Sequence, residues 1–323
     1  MRIGIGFHWQ RDEDQEFAGS LEIKPTPNPS LQGGEPWQVA INTIDLEDYL
    51  CSVISSEMNA NSPMELLKAH AVISRSWAIR AMQKPNHEGY HVCADDHCQR
   101  YEGLRRMNER AVEAVNATRG QVLMYGDEIC DCRYYKCCGG KTEVWRTCWE
   151  DIDVPYIQSV SCDYCKSPSP KVLRLVLNDY DQETKDFRDW QVSYTAAELS
   201  EIIRTKSGMD FGEIIDLIPL KRGASGRICE LKIVGTKRTE IIGKELKIRL
   251  WLSRTCLYSS WFEVEKTITN HQSPITFTFI GHGWGHGAGL CQIGAAVMAS
   301  EGKQYEEILN YYYVGSQLSP TAQ

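Results

Sequence analysis

Three groups of residues carry types and spacings that can do chemistry. The first is Ile54-Ser55-Ser56-Glu57-Met58, which sets one carboxyl just ahead of a helix bearing Lys68 and Arg75. Cations and a helix N-terminus favour a charged carboxylate, whereas apolar neighbours such as Leu50 and Met58 favour the neutral acid, and a group between the two can give and take a proton. Taken alone, a glutamate in this position reads far more readily as a solvated helix-end residue. The second group is His282-Gly283-Trp284-Gly285-His286-Gly287-Ala288-Gly289-Leu290-Cys291-Gln292. Its glycines let backbone approach a ligand while Trp284 offers a flat face suited to a sugar; the plainer reading is a tight turn whose histidines are hydrogen-bonded core groups. A zinc-protease motif is excluded, because it needs a helix that these glycines oppose. The third group, His91-Val92-Cys93-Ala94-Asp95-Asp96-His97-Cys98, packs two imidazoles and two thiols into eight residues, enough for a four-coordinate zinc site. His87 can replace His91 there, and a Cys93–Cys98 disulfide is the rival reading.

The elements that must position these groups follow from periodicity. Val39 and Ile41 alternate with polar or small residues over 37–44, which predicts a strand after a proline- and glycine-rich loop at 20–36. Leu46, Leu50, Val53, Ile54 and Met58 predict a helix with Glu57 near its end. The next helix is expected to run to about Met82, with Ser62 as N-cap, Pro63 as first residue and Glu65 closing a capping box; Lys68 and Arg75, seven residues apart, then share a face. A helix at 107–118 ends at Gly120, and a hairpin over 122–135 turns at Gly126-Asp127. From 165 to 272 the pattern changes to a helix near 195–207 followed by strand-like runs at 230–234, 245–252 and 261–264. The tail returns with a strand at 275–280, the glycine-rich turn, and helices near 292–300 and 305–313.

The chain has 323 residues, 42% hydrophobic and 24% charged, a globular composition with room for one large domain or two smaller ones. The expected fold class is α+β, with a core lobe formed by 1–164 and 273–323 and a mixed α/β lobe inserted at 165–272. A formal charge of −8 argues against a nucleic-acid partner, which calls for a basic stripe. Apolar runs fall short of the roughly 18 residues that span a bilayer, so no transmembrane segment is expected. Residues 1–9 lack the pattern of a secretory signal, and an exported native protein would have had its leader left off. Thirteen cysteines, clustered along the chain, suggest metal ligands or local disulfides. Cys162-Asp163-Tyr164-Cys165, with Cys137, Cys138 and Cys148, can hold zinc or a disulfide, whereas Cys51, Cys229, Cys256 and Cys291 read as apolar fillers.

The run E-M-x(4)-P-x-E-x-L-K-A-x-A-V-x-x-R-x-W from Glu57, with the tail G-W-G-H-G-x-G-x-x-Q-x-G-A from Gly283 and I-L-x-Y-Y-Y-x-G from Ile308, resembles the SpoIID/LytB domain family. Gln99 to Gly103, Ala111 to Gly120 and Val154 to Val160 are similar to further family stretches, so the resemblance covers about 39–160 and 275–318. It implies a lytic transglycosylase acting on peptidoglycan strands, in which Glu57 is general acid and then base at the bond between N-acetylmuramic acid and N-acetylglucosamine. It also implies that Lys68, His70, Arg75, Thr142, Glu143, His282, Trp284, His286 and Gln292 bind substrate. No organic cofactor is implied. Zinc, held by His91, Cys93, His97 and Cys98, is implied beside the cleft. The family's usual location is outside the cytoplasm, in the cell envelope or periplasm. Its older name implies a rival role as a non-catalytic enhancer of a cell-wall amidase. A metal-dependent hydrolase is a third reading and needs an open coordination position on the zinc. The chain departs from the commoner family pattern at His70, Trp77 and Lys136-Cys137-Cys138, where glutamine, tyrosine and S-x-x precede Gly139-Gly140 or occupy the equivalent places.

Overall fold

A computed structural model describes residues 2–3, 11–12, 14–25, 38–59, 61–84, 87–94, 97–166, 168–177, 188–268 and 275–321. The class is α+β, as expected. Short strands β1 (Arg2–Ile3) and β2 (Arg11–Asp12) pair, and β3 (Ser20–Pro25) pairs antiparallel with β4 (Gln38–Thr43). The start of the stretch expected to be loop is therefore strand; residues 26–36 lie outside the described residues. Asp45 caps α1 (Leu46–Glu57) by accepting from Glu47 N, and Leu50, Val53 and Ile54 are completely buried along one face.

Helix α2 (Met64–Gln83) is the long axis of the first core. The expected capping box is absent. Ser62 Oγ donates instead to Leu175 O, and the Glu65 carboxylate accepts from Lys68 Nζ and from Tyr305 N, so the side chains that would close the box are spent on tertiary contacts. Asn108 caps α3 (Glu109–Ala117), and β5 (Gln121–Tyr125) turns back into β6 (Glu128–Ile129). The predicted second hairpin arm is broken: Tyr134–Tyr135 form a separate strand, β7. Helices α4 (Trp145–Cys148) and α5 (Pro170–Val176) complete this part.

A second hydrophobic cluster gathers side chains between Trp190 and Phe279. It contains β8 (Asp189–Thr195), α6 (Ala196–Ser207), the meander β9 (Ile214–Arg222), β10 (Ile228–Gly235) and β11 (Thr239–Ile242), α7 (Glu245–Trp251), β12 (Phe262–Thr267) and β13 (Thr276–His282). Two expectations are corrected. Residues 245–252 read as a strand, yet they form α7, because Ile248, Trp251 and Leu252 are buried at helical spacing while Leu246 is exposed. The 275–280 strand, expected with the terminal core, is the middle strand of a β12-β13-β8 sheet, and its Phe277 and Phe279 fill the second cluster.

The chain then rejoins the first core through β14 (Leu290–Cys291), parallel to β7, followed by α8 (Gln292–Ser300), α9 (Tyr305–Tyr312) and β15 (Gln317–Pro320), which pairs with β5. Thus the glycine-rich turn between β13 and β14 carries the backbone from one core to the other. Among the described residues no helix is long and apolar enough to cross a membrane.

Candidate functional site

Glu57 ends α1 at the rim of the first core. Ser55 and Ser56 bond back to the carbonyls of Cys51 and Ser52, and Met58, 1% exposed, leaves helical geometry to anchor the chain in the core. With its neighbours tied inward, the partly buried Glu57 side chain faces the rim. Its Oε1 accepts from Tyr134 Oη at 2.9 Å and from Arg100 N at 3.0 Å. A phenol and a peptide N–H thus fix one carboxyl oxygen from two directions.

The stretch that supplies Arg100 N is set by its own side chains. Gln99 accepts from Tyr49 Oη and donates to Ser74 O, and Tyr101 Oη donates to Asn42. Glu102, 2% exposed, faces the guanidinium groups of both Arg100 and Arg106. Gly103 has φ +65°, and a Cβ there would stand 2.1 Å from Glu16 O, so this turn admits glycine alone.

Behind Tyr134 lies His70, fully buried, with its ring edge-on to the phenol at 4.4 Å. Gln292 Nε2 lies 3.1 Å from His70 Nε2, and Ser74 Oγ lies 3.2 Å from Nδ1. With Gln292 donating, the imidazole proton sits on Nδ1 and points at Ser74. Burial, with the Lys136 ammonium nearby, pushes His70 down to about 3, so it is neutral at physiological pH. His70 and Gln292 therefore support the wall of the site from inside; neither reaches its surface. Lys136 Nζ lies 6.0 Å from the Trp284 ring, which meets Tyr258 edge-on at 5.2 Å. Trp284 is partly exposed and joined to the first core by reciprocal backbone bonds with Cys137. The sequence reading missed Tyr134 and Lys136; the pleat of β7 is what turns Tyr134 toward Glu57 and leaves Tyr135 buried.

Other expected site residues serve the fold. Arg75 is completely buried and grips Glu47 with two bonds, Nε to Oε1 at 2.9 Å and Nη2 to Oε2 at 2.7 Å, while also donating to Gln121 O and Val115 O. Lys68 pairs with Glu65 at 2.7 Å beside the Tyr305 ring. The expectation that both cations point at one site is thus corrected: one is sealed in the core and the other has a local partner. Thr142, 1% exposed, donates to Gln158 O and accepts from Val160 N. Glu143 is also completely buried, and its oxygens accept from Val144 N, Ala224 N, Ser225 N and Ser225 Oγ, which clamps the second core's 223–226 turn onto the first. Neither residue can touch a polymer.

In the glycine-rich turn, His286 Nε2 lies 3.0 Å from Tyr134 O and its Nδ1 accepts from Ala288 N. The carbonyl can only accept, so the proton is on Nε2, and burial together with the neighbouring Arg133 holds this imidazole neutral. His286 orients the strand bearing Tyr134. His282 is more exposed and binds Asp189 at 2.6 Å, edge-on to Trp261. Beneath the turn runs the fully buried Arg227, which donates to Gly285 O, Ser225 Oγ and Cys138 O. A Cβ on Gly287 would stand 2.5 Å from that guanidinium, so glycine is required there.

The imidazole and thiol expectation is corrected in one member. His87, Cys93, His97 and Cys98 gather their ligand atoms within 4.8 Å of one another, and Cys98 Sγ lies 3.2 Å from His87 Nε2 and 3.5 Å from His97 Nδ1. His91 is outside the group and exposed, since the loop folds His87 back onto Cys98. Two nitrogen and two sulfur donors suit a tetrahedral divalent ion of intermediate softness. Another groove, lined among others by Arg146, Asp151, Lys221, Glu230 and Lys244, lies between α4 and the β9–β10 hairpin and includes neither Glu57 nor Tyr134.

The molecule is thus a two-core α+β protein in which motifs from both parts of the chain wall a rim carboxylate. A family profile described as Stage II sporulation protein matches residues 37–125, and one described as Domain of unknown function (DUF8618) matches 143–289. An uncharacterized protein of Brachyspira hyodysenteriae is 30% identical over 93% of this chain and 71% of its own. Stage II sporulation protein D of Bacillus subtilis is 28% identical over 94% of this chain and 81% of its own. The amidase enhancer of Bacillus subtilis is 26% identical over 84% of this chain and 40% of its own. The chain belongs to the SpoIID/LytB family.

Proposed function

We propose that this protein is a peptidoglycan lytic transglycosylase with Glu57 as its single general acid/base. The observation that carries the reading is the placement of Glu57: a partly exposed rim carboxyl whose Oε1 is fixed by Tyr134 Oη and Arg100 N. Glu57 protonates the glycosidic oxygen between N-acetylmuramic acid and N-acetylglucosamine. As the bond breaks, the same carboxylate takes the proton of the muramoyl 6-hydroxyl, whose oxygen closes the anhydro ring on the anomeric carbon. Water does not attack, so a second carboxylate at ordinary glycosidase spacing is not needed. Trp284 gives a sugar face, Lys136 and Tyr134 line the approach, and His282 with Asp189 offers polar contacts further along. His70, His286 and Gln292 position that wall. His87, Cys93, His97 and Cys98 would hold a zinc ion through four protein ligands, a structural role that would brace the loop before Arg100 and supply no coordination position to substrate.

The site of action is the cell envelope, outside the cytoplasm. The test is digestion of purified peptidoglycan, intact and stripped of stem peptides, with products read by mass spectrometry. Anhydro-muramic ends are expected; reducing ends, or no cleavage of either substrate, would sink the enzyme reading. A second reading, a glycan-binding enhancer of a cell-wall amidase, draws on the name of the Bacillus subtilis relative. It predicts that wild type and Glu57→Gln stimulate an amidase equally.

A further inference from the structure

Four cysteines from three distant stretches converge behind the cleft wall. The Sγ atoms of Cys138, Cys162, Cys165 and Cys291 all lie within 4.8 Å of one another, and all four residues are completely buried. We propose that these four thiolates hold one tetrahedral zinc ion, a centre separate from the imidazole–thiol group at His87. Zinc–sulfur bonds of about 2.3 Å set tetrahedral sulfurs roughly 3.8 Å apart, inside the observed spread. Iron–sulfur clusters bind their cysteines at different irons and so hold the sulfurs further apart than one shared ion does. The Cys138 and Cys165 sulfurs are 3.0 Å apart, against about 2.05 Å in a disulfide.

The surroundings are those of charged sulfur. Gly140 N donates to Cys138 Sγ at 3.4 Å, Cys138 N to Cys291 Sγ at 3.3 Å, and Gly294 N to Cys291 Sγ at 3.4 Å. Tyr312 Oη lies 3.3 Å from Cys162 Sγ. Cys291 caps the nine-residue helix α8, whose positive end faces the group. A Cβ on Gly294 would stand 2.7 Å from Cys162 Sγ, so the helix start is pared down to admit the cluster. These donors and the dipole offset the net negative charge of a zinc tetrathiolate. Reading Cys291 as an apolar filler is thereby replaced.

The ion would tie the turn after β7 to the start of α8. Cys138 follows Tyr134 and Lys136, and Cys291 precedes Gln292, which meets His70. The metal therefore cross-links the two strands that hold the wall opposite Glu57. The test is metal analysis and native mass spectrometry of the full chain, purified without chelators, as wild type and as His87→Ala/His97→Ala. Wild type should carry two zinc ions, and the double variant should keep one whose X-ray absorption shows four sulfur ligands. Cobalt exchanged into that variant should show intense thiolate-to-cobalt charge transfer, lost in a further Cys165→Ser change. A double variant without zinc, one carrying iron instead, or masses short of two hydrogens for each disulfide among these cysteines would overturn the proposal.

Discussion

Two carboxylates stand at opposite ends of α1 and have opposite fates. Glu47, in the first turn, is 8% exposed; both its oxygens are taken by the Arg75 guanidinium, and Oε1 also accepts from Gly120 N. Glu57, the last residue of the helix, keeps partial exposure and is fixed through one oxygen by Tyr134 and the Arg100 peptide. One helix thus uses the same side chain as a sealed strut and as a partly exposed rim carboxyl. The difference lies in what other elements bring to each end: a buried cation from α2 to one, a phenol from β7 and a loop peptide to the other.

The largest effect expected from breaking the sealed end is Arg75→Ala, which strands Glu47 without its cation and should cost about 3–5 kcal/mol in denaturant unfolding. A variant that keeps wild-type stability would show that the pair is not a strut. At the rim, Tyr134→Phe removes one donor to Glu57 while keeping the ring against His70. Loss of a charge-assisted bond worth about 1.5–3 kcal/mol predicts a roughly ten- to hundredfold slower anhydro-muramic release with little change in Tm.

The pH dependence sharpens the role of the wall. His70 is held at about 3 in the fold and returns to near 6.5 when unfolded. The unfolded state therefore binds more protons between those values, so this contribution is complete above about pH 6.5 and lost as pH falls towards 3. His70→Gln should flatten that acid limb in Tm measured against pH, leaving the part due to His286, which shifts the same way. An unchanged limb would show that His70 does not titrate there. The smallest effect is Lys68→Ala, since a partly exposed pair with Glu65 is worth under about 1 kcal/mol. Tm and glycan turnover should both stay near wild type; a large rate loss would return Lys68 to the site.

Local periodicity made α1 and α6 legible, because their large apolar residues recur at helical spacing, even though α1 is buried without a break from Tyr49 to Ser56. It placed Glu57 at a helix end for the same reason. Arg75 was misassigned because a shared helix face does not tell what that face meets, and Glu47 lies 28 residues away. Residues 245–252 alternate apolar and polar like a strand, and only tertiary burial of Ile248 and Leu252 selects the helix. Cys291 looked isolated because its thiol neighbour Cys138 is 153 residues distant in the chain. His87 displaced His91 through a loop fold that spacing alone does not encode. What sequence conveyed was periodicity and local chemistry; what it withheld were the tertiary pairings, from His87 and Cys98, 11 residues apart in the chain, to Cys138 and Cys291, 153 apart.

The most direct measurement compares Glu57→Gln and Glu47→Gln on peptidoglycan stripped of stem peptides, with anhydro-muramic ends counted by mass spectrometry and Tm recorded for each. Glu57→Gln is expected to fold like wild type and to lose about 10²–10⁴-fold in rate. Glu47→Gln should unfold at lower temperature yet still cut at temperatures where it is folded. Anhydro ends released by Glu57→Gln at the wild-type rate would remove Glu57 from the role of acid/base.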